Sequence, residues 1–182
     1  MDNGASSYRR FLEGDERAFD EIMEVYKDNL ILFIDRYVHN IAAAEDIAID
    51  VFSDLLVHKH RYNFKVKLKT YLYMLGRSRA LNYIKHRDIF NMVELVDAES
   101  ELIYRENLED TIVANETKRV VHQAMDKIPD DMREIVYLIY FEEMSYEEAA
   151  KVMKKSKKQI DNLLYRAKKT LRTILGKEGI EL

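Results

Sequence analysis

Pro129 is the only proline in this chain, and only five glycines accompany it. Proline interrupts helices and sheet ladders, while glycine supplies the tight turns that a many-stranded fold requires. A chain of 182 residues so poor in both is constrained to long helices with short connections, and the expected fold class is all-α. Hydrophobic residues make up 47% of the chain, enough to build packed cores. Cysteine is absent, which excludes disulfides and thiolate metal centres and suits a reducing compartment. The opening MDNGASSYRR lacks the apolar stretch of a secretory signal. The longest apolar runs, such as LILFI, fall far short of a membrane span. A cytoplasmic protein without membrane insertion is therefore expected.

Apolar residues set the helices. Phe19, Ile22, Met23, Tyr26, Leu30 and Phe33 recur at helical spacing, which predicts a helix from Asp15 to about Tyr37. Further helices are predicted over residues 41–57 and from Leu68 to about Lys85. Residues 88–117 have weaker periodicity and read as a linker. Periodicity returns over 118–127, 130–142, 146–153 and 157–175. Two small helical domains are expected, the first within 1–90 and the second within 118–182, joined by an acidic linker at 91–117.

Charge divides along the same lines. The chain carries net −4, but residues 55–87 carry net +9 with no acidic side chain, and residues 151–182 carry net +7. Residues 1–54 and 88–117 each carry net −8. One basic run is often only a solvated face. Two runs, each tied to a helix and accompanied by aromatic or amide side chains, point towards a polyanion.

The second basic run has internal structure. Ser145 and Glu148, and again Ser156 and Gln159, fit capping boxes, in which each side chain satisfies the other residue's backbone N–H. Two helix starts so close together predict a short helix, a tight turn and a second helix. In that second helix Ile160, Leu163, Leu164, Ala167, Leu171 and Ile174 form one apolar stripe. Lys158, Asp161, Asn162, Tyr165, Lys169 and Arg172 lie opposite. Lys157 and Lys158 occupy the first turn, where positive charge opposes the helix dipole by about 0.3–1 kcal/mol each. Charge placed against local stability is expected to face an anion, such as the phosphates beside a major groove.

With these residues in view, IPDDMREIVYLIYFEEMSYEEAAKVMKKSKKQIDNLLYRAKKTLR resembles the C-terminal DNA-binding helix-turn-helix of bacterial sigma factors of the extracytoplasmic-function group. The resemblance implies recognition of a promoter's minus-thirty-five element through Lys157, Lys158, Gln159, Asn162, Tyr165, Arg166, Lys169 and Arg172. Lys and Arg are expected on phosphates, and Gln159, Asn162 and Tyr165 on base edges or the adjoining backbone. The family usually has Gly and an apolar residue where this chain has Lys154 and Lys155.

The N-terminal half carries the same resemblance. AEDIAIDVF (44–52) is similar to the family's polymerase-docking helix, which implies core RNA polymerase binding through Asp46, Asp50, Asp54 and Phe52. The three aspartates make one carboxylate stripe, whose mutual repulsion a basic partner would relieve. NFKVKLKTYLYMLGRSRALNYIKHR (63–87) is similar to the minus-ten region, a loop followed by a basic aromatic helix. It implies contact with melted DNA through Asn63, Phe64, Lys65, Lys67, Lys69, Tyr73, Arg77, Lys85 and Arg87. Cations can follow phosphates, rings can stack on bases, and a loop can capture a base taken out of the duplex. Leu68, Leu72 and Leu75 are expected on the core face.

An alternative sigma factor is thus expected, with core RNA polymerase and promoter DNA as partners, an anti-sigma factor as a further partner the family allows, and no cofactor. No phosphate loop, nucleophile elbow or metal-spaced histidine cluster points to an enzyme. Two other functions stay open. A helix-turn-helix regulator acting on duplex DNA without polymerase leaves the basic aromatic 63–87 segment unexplained. A helical protein-binding adaptor leaves Lys157 and Lys158 unexplained.

Overall fold

The computed structural model describes residues 4–93 and 123–177. Every regular element among them is helical, as the scarcity of proline and glycine predicts. They form two compact units. The linker expected at 91–117 lies almost wholly outside the described residues.

The first unit is built from α1 (Ala5–Leu12), α2 (Arg17–Val38), α3 (Ile41–Val57) and α4 (Leu68–Val93). α2 is the hub, packing against α1, α3 and α4. Its inward stripe is Ile22, Tyr26, Leu30, Phe33, Ile34 and Val38, the three- and four-residue spacing expected of a helix with one buried face. α2 stops at His39, which takes a left-handed φ of 54°. Asn40 then starts α3, its side-chain oxygen accepting from the Ala43 N–H at 3.0 Å. That N-cap satisfies one of the free donors of the first turn. α3 buries Ala44, Ile47, Ala48, Val51, Phe52 and Leu55. α4 meets α2 closely at Gly76, where a Cβ would lie 3.0 Å from Leu30 Cδ1.

The sequence pattern left two features of this unit unassigned. α1 is one. It is held by Tyr8 and Phe11, both buried. The other is the length of α4, which continues past Lys85 to Val93.

The second unit begins with a helical turn at 123–126. The Arg133 side chain caps it, donating to the Met125, Asp126 and Ile128 carbonyls at 2.9, 3.1 and 3.1 Å. α5 (Asp130–Val136) follows Pro129, whose fixed φ suits the entry to a helix. The stretch 130–142 was expected to be one helix, but it changes character at Tyr137–Phe141, a π-helical turn. There the Glu142 N–H reaches the Tyr137 carbonyl at 3.1 Å. α6 (Tyr146–Met153) and α7 (Lys157–Lys177) follow in the chain. α7 packs on α5, and Ile160, Leu163, Leu164, Ala167, Leu171 and Leu175 are buried along it. Leu175 takes the buried place expected for Ile174, which is only half-buried. No helix among the described residues is long and apolar enough to cross a membrane.

Candidate nucleic-acid interface

Three surfaces carry the residues singled out in the sequence. The first is the outer face of α3. Asp46 and Asp50 are exposed there, beside Ile49 at 53% exposure. Asp54 behaves differently. Its carboxylate lies 3.0 Å from Arg61, 3.5 Å from Arg79 and 2.8 Å from His58, and its side chain is 15% exposed. The basic partner expected to relieve the stripe is thus partly supplied from within the chain, by the loop after α3 and by α4. Phe52 requires a correction: it is 2% exposed and belongs to the core. Two residues beyond Asp50, it points to the opposite side of the helix.

The second surface is the loop between α3 and α4 with the start of α4. Asn63 and Lys65 are exposed. The Asn63 side-chain oxygen accepts from the Lys65 N–H at 3.2 Å, a local bond that shapes the turn. Between them Phe64 sits at φ 60°, a left-handed conformation uncommon for a large side chain. Its ring packs against Tyr62 at 4.8 Å and Tyr8 at 6.0 Å, with the Arg9 guanidinium 5.1 Å above it. Tyr71 joins this cluster at 5.2 Å from Tyr62. Burial pushes the Tyr71 phenol above its ordinary value, and the nearby Asp54 charge adds to this.

Along α4, Lys69 and Arg77 are half-buried, whereas Lys67, Lys85 and Arg87 are exposed. The Arg87 guanidinium donates to the Val38 carbonyl at 3.2 Å. Tyr73 is the second correction. The resemblance placed it with Lys69 and Arg77 among the residues contacting DNA, but it is fully buried. Its ring lies 4.7 Å from that of Phe33, on the side of α4 that meets α2. Leu68 and Leu72 are buried as expected, and Leu75 is half-buried.

The third surface is the α6–turn–α7 segment. Both capping boxes form. The Ser145 N–H donates to Glu148 at 2.8 Å and the Glu148 N–H to Ser145 Oγ at 3.3 Å. The Ser156 N–H donates to Gln159 at 2.8 Å and the Gln159 N–H to Ser156 Oγ at 3.3 Å. Gln159 thereby commits its side-chain oxygen to the cap and retains its amide hydrogens. The turn passes through Lys154 at φ 54°. Lys158, Asn162, Tyr165, Arg166, Lys169 and Arg172 are all exposed, and Tyr165 is 68% exposed.

Lys157 is exposed as well. Its ammonium pairs with the Glu147 carboxylate of α6, a partner within the chain that the charge pattern of the first turn did not reveal. The hydrogen bond between them lowers the Glu147 carboxyl and raises the Lys157 ammonium relative to their ordinary values. Lys158 has no such partner among the described residues.

Residues 22–89 match the family described as Sigma-70 region 2, and residues 118–171 match Sigma-70, region 4. The order is that of the basic aromatic unit followed by the helix-turn-helix, and the two matches together take in more than half of the chain. The chain is 27% identical over 172 residues to the RNA polymerase sigma-H factor of Pseudomonas aeruginosa, spanning 89% of this chain and 88% of that protein. It is 26% identical over 168 residues to the ECF RNA polymerase sigma factor SigW of Bacillus subtilis, spanning 88% of this chain and 90% of that protein. Its fold is similar to the sigma factor RpoE of Bartonella quintana, solved with the anti-sigma factor NepR, with a TM-score of 0.69 at 18% identity over 87% of this chain and 96% of that one. It is also similar to CnrH, solved with the cytosolic domain of CnrY, with a TM-score of 0.63 at 18% identity over 96% of each chain. The chain belongs to the sigma-70 family, in its extracytoplasmic-function group.

Proposed function

We propose that this chain acts as an alternative sigma factor, binding core RNA polymerase and directing it to promoters that it then helps to open. The observation that carries this is the coexistence in one chain of two different DNA-facing devices. A capped helix-turn-helix with an exposed polar face suits duplex DNA. A loop and basic helix beside an aromatic cluster suit single strands. A regulator of duplex DNA needs only the first, and an adaptor needs neither.

The domain assignment follows. Residues 1–90 bind polymerase and the minus-ten element, 91–117 link the domains, and 118–182 bind the minus-thirty-five element. Asp46 and Asp50, with exposed Ile49, form the polymerase-docking face. Asn63, Phe64 and Lys65 capture a base of the non-template strand, while Lys67, Lys69, Arg77, Lys85 and Arg87 follow its phosphates. On α7, Lys158, Arg166, Lys169 and Arg172 take phosphates, and Asn162 and Tyr165 reach into the groove. The chain works as a recognition subunit in the cytoplasm and catalyses no reaction itself. An anti-sigma protein is a further partner, a reading supported by the NepR-bound sigma factor that shares this fold.

The test is a mobility shift on promoter fragments from the source bacterium with the chain alone, core polymerase alone and the two together. A sigma factor yields a specific complex only when both are present. A specific complex with the chain alone favours the polymerase-independent regulator.

A further inference from the structure

α1 does more than complete the core of the first unit. Tyr8 is fully buried, and its hydroxyl donates to the Lys59 carbonyl at 2.7 Å, with the Leu55 carbonyl at 3.4 Å. Leu55 lies in the last turns of α3 and Lys59 lies just beyond its end, so this bond fixes where the loop departs. The Tyr8 ring meets Tyr62 edge-on at 5.1 Å and Phe64 at 6.0 Å. Arg9, the next residue of α1, covers the Phe64 ring. Further along, the Tyr62 hydroxyl donates to the Val66 carbonyl at 2.7 Å. The loop is therefore fastened at its start by Tyr8, at its middle by Tyr8 and Arg9, and towards its end by Tyr62. Tyr62 itself leans on Tyr8.

These contacts hold Phe64 in its left-handed conformation and set Asn63 and Lys65 at the exposed tip. A loop of this length left unrestrained must be ordered at the moment of binding, and that ordering subtracts from affinity. Contact with backbone phosphates does not require an ordered loop; a captured base does.

We infer that Tyr8 is a positioning residue for base capture, holding the loop over residues 59–66 in its receiving conformation from beneath, without touching DNA. The inference rests on the base-capturing role proposed above for Asn63, Phe64 and Lys65. It predicts a split between base-specific and general single-strand affinity, which a merely structural role would not produce.

The experiment uses the full chain bound to core polymerase. One probe is a single-stranded DNA pool with a randomised minus-ten segment, sequenced before and after binding. The other is polythymidine, which reports general affinity. The wild type enriches one base at a fixed position of the pool. Tyr8→Phe removes one hydrogen bond and reduces that enrichment about fivefold. Arg9→Gln, at an exposed position that does not threaten folding, reduces it about two- to threefold. Both variants keep wild-type affinity for polythymidine. Unchanged enrichment in both variants overturns the inference, as does an equal loss on both probes. A wild type that enriches no base overturns the base-capture reading and this inference with it. If Tyr8→Phe fails to fold, Arg9→Gln alone decides.

Discussion

Lys157, in the first turn of α7, is tied to Glu147, in the first turn of α6, by an exposed ion pair. The pair links the two helices of the helix-turn-helix across their turn. It also places a carboxylate beside a cation that DNA phosphates would otherwise attract. Exposed pairs contribute about 0.2–1 kcal/mol, so a phosphate can displace Glu147 at modest cost. Glu147→Gln is expected to strengthen duplex promoter binding by the holoenzyme about three- to fivefold at low salt, read by a binding titration. Lys158→Ala is expected instead to weaken all promoters alike and to lower the salt slope by about one.

On α3 the aspartates divide into two roles that substitution separates. Asp50→Lys reverses an exposed charge whose nearest partner, Arg79, is 3.8 Å away. It is expected to weaken core polymerase binding about tenfold or more and to leave thermal stability near wild type. Asp54→Ala removes the shared partner of Arg61, Arg79 and His58 and is expected to destabilise the first unit by about 1–3 kcal/mol. Calorimetry and a polymerase titration on the same two proteins check both outcomes.

The turn between α6 and α7 holds Lys154 at φ 54°, a conformation that costs a residue with a Cβ about 1–2 kcal/mol. Lys154→Gly relieves this, and glycine's greater freedom in the unfolded chain cancels part of the gain. The second unit is expected to gain about 0.5–1 kcal/mol, measured by urea unfolding. A loss of stability would mean that the Lys154 side chain contributes more than its backbone strain costs.

Burial pushes the Tyr8 phenol up to about 12 from its ordinary 10.0, with Tyr71 and Tyr62 adding to the shift. The folded state thus favours the neutral, hydrogen-donating form. The corresponding stability is fully present below pH 10 and is lost as pH rises towards 12. The first unit is expected to lose stability across that window, and Tyr8→Phe should flatten the dependence while lowering stability at neutral pH. Denaturant unfolding across the alkaline range measures both.

Much of this architecture was legible because it is local. α3 runs from Ile41 to Val57, the span its periodicity predicts. Both capping boxes form because each needs only residues three apart. The residues misjudged or left unassigned depend on contacts distant in sequence. Tyr73 repeats in step with Lys69 and Arg77, yet α2 brings Phe33 against it and removes it from the surface. Asp54 looks like its neighbours until Arg61 and Arg79 reach it. α1 spans only eight residues, too few to form a stable helix alone. Tyr8 and Phe11 hold it only once α2 and the loop are present.

The central claim is that this chain gives core polymerase a promoter preference. Run-off transcription with purified core polymerase and sheared genomic DNA of the source bacterium tests it most directly. Transcripts with defined 5′ ends that require the chain are expected. Their start sites should share sequence elements near minus ten and minus thirty-five, and Asp50→Lys should deplete all of them together. Transcripts identical to those of core polymerase alone, with the chain present in excess, would contradict it.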